Sequence, residues 1–169
     1  MGEVAGDKQA ALVAVAHACA GRRWALVRGV ALQIHQKEPR TTLDIDLALA
    51  SRDDLPGEAL RAAGLRKTGE FEHSENWVAA DGTAVQFSDD AAPAEAIDRA
   101  LTVLAAGVVL RVLTPLDLCL SKLRAARDPR RRRSKRLQDV ADAVALCEEH
   151  PEVLAGLSEA DRAVVETGG

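Results

Sequence analysis

Two aspartates separated by one apolar residue, Asp44 and Asp46, are the side chains of this sequence best suited to bind a metal ion. They lie in an alternating apolar and acidic run, Leu43 to Ala50, which is typical of a β-strand with one face in water. Side chains at positions i and i+2 of a strand share a face, so two carboxylates there can hold one hard cation. The pair predicts a site for Mg²⁺ or Mn²⁺.

A glycine that ends an earlier apolar run adds a second kind of chemistry. Gly29 follows the predicted strand Trp24 to Arg28 and begins a predicted short helix, Gly29 to His35. The first N–H groups of a helix and its dipole attract phosphate, and glycine lets the backbone approach it closely. Together with Asp44 and Asp46, this turn predicts a site for a metal-bound nucleoside triphosphate.

The remaining pattern predicts an α/β fold with a mixed, mostly antiparallel sheet flanked by helices. We expect strands over 24–28, 43–50, 65–72, 76–80, 83–88 and 108–113, and helices over 7–20, 29–35, 57–63, 93–105, 115–127 and 134–149, followed by a polar tail. Asp81-Gly82 predicts a hairpin, and Thr114 predicts a helix N-cap. We expect an α/β core over residues 1–113 and a helical section over 114–169 that packs on it and closes over the nucleotide cleft.

The composition restricts where the protein works. No apolar run of the 169 residues is long enough to span a bilayer, and residues 1–10 lack the pattern of a leader peptide, so we expect a cytoplasmic protein with no membrane partner. The three cysteines are far apart and form no CxxC pair, which favours buried, reduced thiols over a zinc site. They are Cys19, Cys119 and Cys147.

Charge is unevenly distributed along the chain. Residues 111–136 carry 10 basic and 2 acidic side chains, whereas residues 137–169 carry 1 and 8. The densest cluster is a candidate contact for tRNA or another RNA, and the alternative is a solvated helix entrance. It consists of Arg130, Arg131, Arg132, Arg133, Lys135 and Arg136. Because the chain has only two Phe, two Trp and no Tyr, any RNA contact would depend on phosphate and shape rather than on stacking.

Four motifs in order resemble the polymerase-β-like nucleotidyltransferase superfamily. They are Gly29-Val30-Ala31, then RTTLDIDL at 40–47, TPLDLCLSKL at 114–123 and RRRRSKRLQDVADAVAL at 130–146. The form of the second motif is similar to that of the abortive-infection type IV toxin nucleotidyltransferases. The resemblance implies Mg²⁺-dependent transfer of a nucleoside monophosphate from an NTP to a hydroxyl, on tRNA or on protein, and a toxin with a cognate antitoxin.

The resemblance also implies roles for single residues. Asp44 and Asp46 would bind Mg²⁺ and act in catalysis. Gly29 and Val30 would contact the nucleotide phosphates, and Arg40 would brace either the metal-binding strand or the triphosphate. By the same resemblance, two further catalytic residues lie in the helical section: Lys122 would reach the phosphates, and Asp139 would orient Lys122 or the attacking hydroxyl.

Two positions depart from the family pattern. Val30 stands where the family often has Ser or a second Gly, and Gln86 falls where alternation places a third carboxylate. Asp89 or Asp90 would replace that carboxylate only if the strand bulges. Two alternative functions follow: a catalytically weak or silent module that binds a nucleotide or a partner, and an RNA-binding adaptor that works through residues 130–136.

Overall fold

The computed structural model describes residues 8–37, 44–105 and 107–168. The chain divides into two compact units, Met1–Leu113 and Thr114–Gly169. All strands of the described residues belong to the first unit, and the described part of the second unit is helical.

A seven-stranded sheet forms the centre of the first unit. Its strands are β1 Trp24–Val27, β2 Ile45–Leu49, β3 Arg66–Glu70, β4 Ser74–Val78, β5 Ala84–Ser88, β6 Leu101–Ala105 and β7 Val108–Val112, in the order β3-β4-β5-β2-β1-β7-β6. The β2–β5 and β1–β7 pairs are parallel and the other four pairs are antiparallel. The predicted mixed, mostly antiparallel sheet is therefore confirmed.

Four α-helices and a 3-10 helix, Arg52–Asp54, accompany the sheet in the described part of the first unit. The α-helices are α1 Gln9–Ala18, α2 Arg28–His35, α3 Gly57–Ala62 and α4 Ala94–Asp98. Helix α1 contacts β7 and α3, while α2 and α4 contact β1 and β2. All four residues of β1 are buried, as expected for a central strand whose side chains pack on both faces of a sheet.

The β4–β5 hairpin forms at the predicted turn. Gly82 has a φ of 90°, and the Asp81 carboxylate accepts a hydrogen bond of 2.9 Å from the Thr83 N–H. A residue in the left-handed region is easily supplied by glycine, so this turn was readable from the sequence.

The helix predicted over residues 93–105 is wrong beyond its first turns. Helix α4 ends at Asp98, and Leu101–Ala105 is instead β6, which pairs antiparallel with β7. Gly107, with a φ of 74°, lies in the connection between these two strands. The alanine-rich sequence favours a helix locally, but cross-strand pairing with β7 decides the structure.

The second unit is built on two long helices, α5 Pro115–Arg127 and α6 Arg133–Glu149. Thr114 is the N-cap of α5 as predicted, because its hydroxyl accepts from the Asp117 N–H at 3.1 Å. The two helices pack through buried apolar side chains, namely Leu118, Leu123, Ala143 and Leu146.

The polar tail predicted after α6 is wrong. A 3-10 helix, Pro151–Gly156, is followed by α7 Glu159–Thr167. The Ser158 hydroxyl caps α7 by accepting from the Asp161 N–H at 3.1 Å, and Gly168 ends the helix with a φ of 77°. Val165 is buried, so the short helix has an apolar side despite its polar composition.

All three cysteines are free and buried, as predicted. Burial raises the pKa of the Cys19 and Cys119 thiols to about 12. The Sγ atoms of Cys119 and Cys147 lie 3.8 Å apart between α5 and α6.

Within the described ranges, no helix combines the length and the apolar character that crossing a bilayer requires.

Candidate functional site

The two aspartates lie at the start of β2, beside the turn that connects β1 to α2. Asp44 is exposed and immediately precedes the strand, while Asp46 is its second residue, with 16% of the side chain exposed. Because β1 and β2 are antiparallel, Asp46 is opposite Val27, the last residue of β1. The aspartates are therefore next to the first turn of α2, as the glycine motif predicted.

A row of polar side chains crosses three neighbouring strands, in register with Asp46. Asp46 of β2 is opposite Gln86 of β5, and Gln86 is opposite Asn76 of β4. Residues directly opposite each other point to the same face, so the three side chains form one polar row. The Gln86 amide donates to the Asn76 side-chain oxygen at 3.2 Å. Gln86 thus stands at the position predicted for the third carboxylate.

Asp89 does not replace that carboxylate. The pairing of β5 with β2 and with β4 continues without a bulge. The Asp89 carboxylate instead lies 3.0 Å from His73 Nδ1 and 3.8 Å from Arg52 Nη1. Its hydrogen bond raises the pKa of His73. The site therefore has a neutral amide where a third acidic ligand was expected.

Arg28 is a site residue that the sequence did not reveal. Its Nη1 lies 3.0 Å from Gln86 Oε1 and 3.4 Å from Asp46 Oδ1, so one nitrogen bridges two members of the polar row. Among the described residues, Arg28 is also the single non-glycine residue with a positive φ, 57°. In the sequence it reads as the last residue of a strand, and only its position before Gly29 pointed to the turn.

The N-terminus of α2 has the features of an anion site. Its capping residue, Val27, is extended and makes no side-chain cap hydrogen bond, and the first turn contains no acidic residue. Gly29 is the second residue of the helix. The Val30 side chain is fully buried, so any contact of this residue with a nucleotide would come from its backbone.

A cavity of about 410 Å³ adjoins the polar row. It is lined by residues of β3, β4 and β5 together with the two aspartates, including Asp44, Asp46, Asn76 and Gln86. Its volume is within the range of pockets that bind small molecules, roughly 300–1,000 Å³.

The donor set at this site fits one Mg²⁺ ion. In the part of the chain that the structure describes, no group of three or more His, Cys, Asp or Glu side chains is arranged to hold a metal. Mg²⁺ is commonly held by one or two protein carboxylates, with water and substrate phosphates completing its coordination. Asp44 and Asp46 meet that requirement. Arg40, predicted to brace this strand or the triphosphate, lies outside the described residues.

A second charged cluster, which we term the buried cluster, lies between α5 and α6. Lys122 Nζ is 3.3 Å from Asp139 Oδ1 and 2.9 Å from Asp142 Oδ2, and Arg131 Nε donates to Asp139 Oδ2 at 2.6 Å. The side chains of Lys122, Asp139 and Asp142 are 13%, 3% and 7% exposed. The structure brings together the two residues that the resemblance singled out, and adds Arg131 and Asp142.

The basic segment 130–136 is not a uniform surface. Arg131 is bound to Asp139, and Arg130 pairs with Asp128 at 3.1 Å. The other members differ in exposure: Arg136 is half-buried, whereas Arg132, Arg133 and Lys135 are exposed. These last three are the members best placed to meet a polyanion, and their contact with RNA stays a prediction.

Comparison with known proteins places this chain in a family. The family described as nucleotidyl transferase AbiEii toxin of the type IV toxin-antitoxin system matches residues 10–169. No curated protein sequence matches the chain.

Solved structures show the same fold. The crystal structure of JHP933 from Helicobacter pylori has 15% sequence identity and a TM-score of 0.60, covering 89% of this chain and 70% of that one. An antigenic nucleotidyltransferase-like protein from Paracoccidioides brasiliensis has 17% identity and a TM-score of 0.54, covering 96% and 93%.

Proposed function

Because the chain belongs to the AbiEii nucleotidyl transferase toxin family, we propose that it transfers a nucleoside monophosphate from an NTP to a hydroxyl acceptor in a Mg²⁺-dependent reaction. In that reaction the acceptor oxygen attacks the α-phosphorus, the bond to the bridging oxygen breaks, and pyrophosphate leaves. The observation that carries the proposal is the location of Asp44 and Asp46 beside the N-terminus of α2, next to the cavity.

Different residues of the first unit would hold different parts of a metal-bound triphosphate. Asp44 and Asp46 would hold Mg²⁺, which supplies charge neutralisation and orients the phosphates when bound. The backbone at Gly29 and the positive end of the α2 dipole would hold phosphate oxygens. The cavity beside the polar row would receive the rest of the nucleotide or part of the acceptor.

Lys122 and Asp139 enter the proposal through the family resemblance. Their contact supports a role for Asp139 in fixing the Lys122 ammonium, and Asp142 holds the same ammonium at the shorter distance of 2.9 Å. An ammonium so fixed would offer a preorganised positive charge to a phosphate. We therefore regard Asp139 and Asp142 as positioning residues for Lys122.

The acceptor and the biological role also belong to this proposal. Membership of a type IV toxin-antitoxin family supports a toxin with a cognate antitoxin. The exposed basic side chains Arg132, Arg133 and Lys135 support an RNA acceptor, with tRNA as the first to test and a protein hydroxyl as the alternative.

Labelled nucleotides provide the direct test. The purified protein is incubated with each α-labelled NTP, Mg²⁺ and total tRNA, and the products are separated by size. We expect label in RNA for at least one NTP, and none with an Asp44→Asn, Asp46→Asn double variant or with EDTA. Label in the protein itself would identify a protein acceptor, whereas transfer that persists in the double variant would contradict the proposed site.

A catalytically silent nucleotide-binding module is the second candidate, and Gln86 favours it. A neutral amide at the position of the third carboxylate cannot serve as a base for the attacking hydroxyl. If wild type binds NTP without turnover and Gln86→Asp gains turnover, the silent module is the better description. Robust turnover by wild type excludes it.

A further inference from the structure

We propose that Arg28 supplies a built-in positive charge in the triphosphate site and takes the place of a second metal ion, so that the site binds one divalent cation. This inference rests on the proposed function, because it concerns how the same site holds its triphosphate. It starts from the bridging position of the Arg28 guanidinium between Asp46 and Gln86.

A second metal ion would need the atoms that Arg28 already contacts. In two-metal sites the ions lie about 3.5–4 Å apart and share carboxylate ligands. Here the oxygen of Gln86 accepts from Arg28 Nη1 at 3.0 Å, and the same nitrogen is 3.4 Å from Asp46 Oδ1. A guanidinium only donates hydrogen bonds and keeps its charge at every accessible pH. It therefore places a permanent positive charge on two oxygens that a second metal ion would need as ligands.

A site with Arg28 and one metal ion has the same formal charge as a site with three carboxylates and two metal ions. Counted alone, two aspartates, Arg28 and one Mg²⁺ sum to a formal charge of plus one before the triphosphate binds. A site with three carboxylates and two Mg²⁺ ions also carries plus one. Gln86 and Arg28 are thus complementary replacements: the amide removes one negative charge, and the guanidinium provides one of the two positive charges that a second Mg²⁺ would bring.

The guanidinium also has donors left for a ligand. The Arg28 side chain is 52% exposed, and its Nε and Nη2 make no hydrogen bond with the described residues. Those N–H groups can bind two oxygens of one phosphate group in the planar geometry that guanidinium favours. The residue holds this position with a φ of 57°, a conformation that L side chains adopt in only a few per cent of cases and that clusters at functional sites.

Inorganic tripolyphosphate and Mn²⁺ test the inference without knowledge of the base. Mn²⁺ binding is measured by calorimetry at saturating tripolyphosphate, and electron paramagnetic resonance distinguishes a single Mn²⁺ from a coupled pair. We expect one Mn²⁺ per chain and an uncoupled spectrum for wild type. The double variant Arg28→Gly, Gln86→Asp should bind two Mn²⁺ and give a coupled spectrum.

Single variants distinguish the effect of the Arg28 charge on binding from the effect of its backbone conformation. Asparagine tolerates a positive φ, so Arg28→Asn removes the charge with little change of the turn, and we expect about tenfold weaker tripolyphosphate binding in Mn²⁺. Arg28→Lys keeps the charge but loses the planar pair of donors, so its affinity should fall between those of wild type and Arg28→Asn. Arg22→Asn removes an exposed arginine at the other end of β1 and should leave the affinity unchanged.

Two results would overturn the inference while leaving the proposed function intact. They are two Mn²⁺ ions bound per wild-type chain, and wild-type tripolyphosphate affinity in Arg28→Asn. If wild type binds neither Mn²⁺ nor tripolyphosphate, the proposed function fails together with the inference. The measurements therefore distinguish the two failures.

Discussion

The polar row of the first unit and the buried cluster of the second each include an aspartate beside a basic side chain, but in different environments. Beside the polar row, Arg28 is 52% exposed and its closest carboxylate oxygen is 3.4 Å away. In the buried cluster, Lys122 is 13% exposed and has carboxylate oxygens at 2.9 and 3.3 Å. A weakly paired, accessible cation can change partners when a ligand arrives, whereas a buried and fully paired one is held in place.

Because of this difference, substitutions in the two regions should change the free energy of unfolding by different amounts. Removing one member of a buried ion pair leaves an uncompensated charge, which is far more costly than the loss of an exposed pair. We infer that the buried cluster is needed for the stability of the helical unit as well as for any role in phosphate binding, and that the polar row contributes little to stability.

Lys122→Met should produce the largest loss of stability. The change leaves Asp139 and Asp142 buried without the Lys122 charge, and we expect the free energy of unfolding to fall by about 3–5 kcal/mol. Urea unfolding followed by far-UV circular dichroism measures this, because the second unit is helical. Arg124→Met, an exposed change on the same helix, should cost less than about 0.5 kcal/mol. A loss below about 1 kcal/mol for Lys122→Met would show that the cluster is not a structural element.

The same substitution in both regions compares them directly. Asp139→Asn removes a charged acceptor of Lys122 and Arg131, and we expect it to lower the free energy of unfolding by about 2–3 kcal/mol. The Asp46 carboxylate is more exposed, at 16%, and lies 3.4 Å from Arg28, so Asp46→Asn should cost less than Asp139→Asn. If urea unfolding gives the same loss of unfolding free energy for both variants, the two regions do not differ in their contribution to stability.

Glycine at position 28 should be more favourable for stability than alanine. A side chain in the left-handed region costs about 1–2 kcal/mol, and the ion pair lost with Arg28 is worth at most about 1 kcal/mol. We therefore expect Arg28→Gly to be more stable than Arg28→Ala by about 1 kcal/mol. Tryptophan fluorescence is the suitable signal, because Trp24 and Trp77 both lie in the first unit. If the alanine variant is at least as stable, the turn carries no strain.

The smallest effect should come from His73 and Asp89, an exposed pair in the same unit. The hydrogen bond to Asp89 raises the folded-state pKa of His73 above its ordinary value of 6.5. The pair therefore stabilises the fold fully below pH 6.5, and this contribution is lost as the pH rises through the raised pKa. Melting temperatures of wild type and His73→Gln should converge at pH 8, with wild type higher at pH 5.5. A difference that does not change with pH would contradict this assignment.

Local patterns were sufficient to predict most of the sheet and the position of the two aspartates. Alternation placed Asp46 and Gln86 on one face, and the registers of β2 and β5 confirm that they are opposite each other. The Asp81-Gly82 turn and the Thr114 cap are short-range features, because each depends on residues within three positions. Such features are readable from one sequence.

Features that depend on distant contacts were not predictable. Strand β6 pairs with β7, whereas the alanine-rich sequence just before it suggested that helix α4 would continue. Helix α7 is a different case, because its local signal, the capping pattern of Ser158 and Asp161, was present in the sequence and the prediction did not use it. The role of Arg28 was hidden because nothing in the sequence indicates that an arginine adopts a glycine-like φ.

Calorimetric titration of each NTP in the presence of Mg²⁺ tests the central claim most directly, with wild type compared with the Asp44→Ala, Asp46→Ala double variant. We predict that wild type binds at least one NTP and that the double variant binds none, while both keep the same far-UV circular dichroism spectrum. Absence of NTP binding by wild type, or unchanged binding by the variant, would contradict the assignment of the triphosphate site.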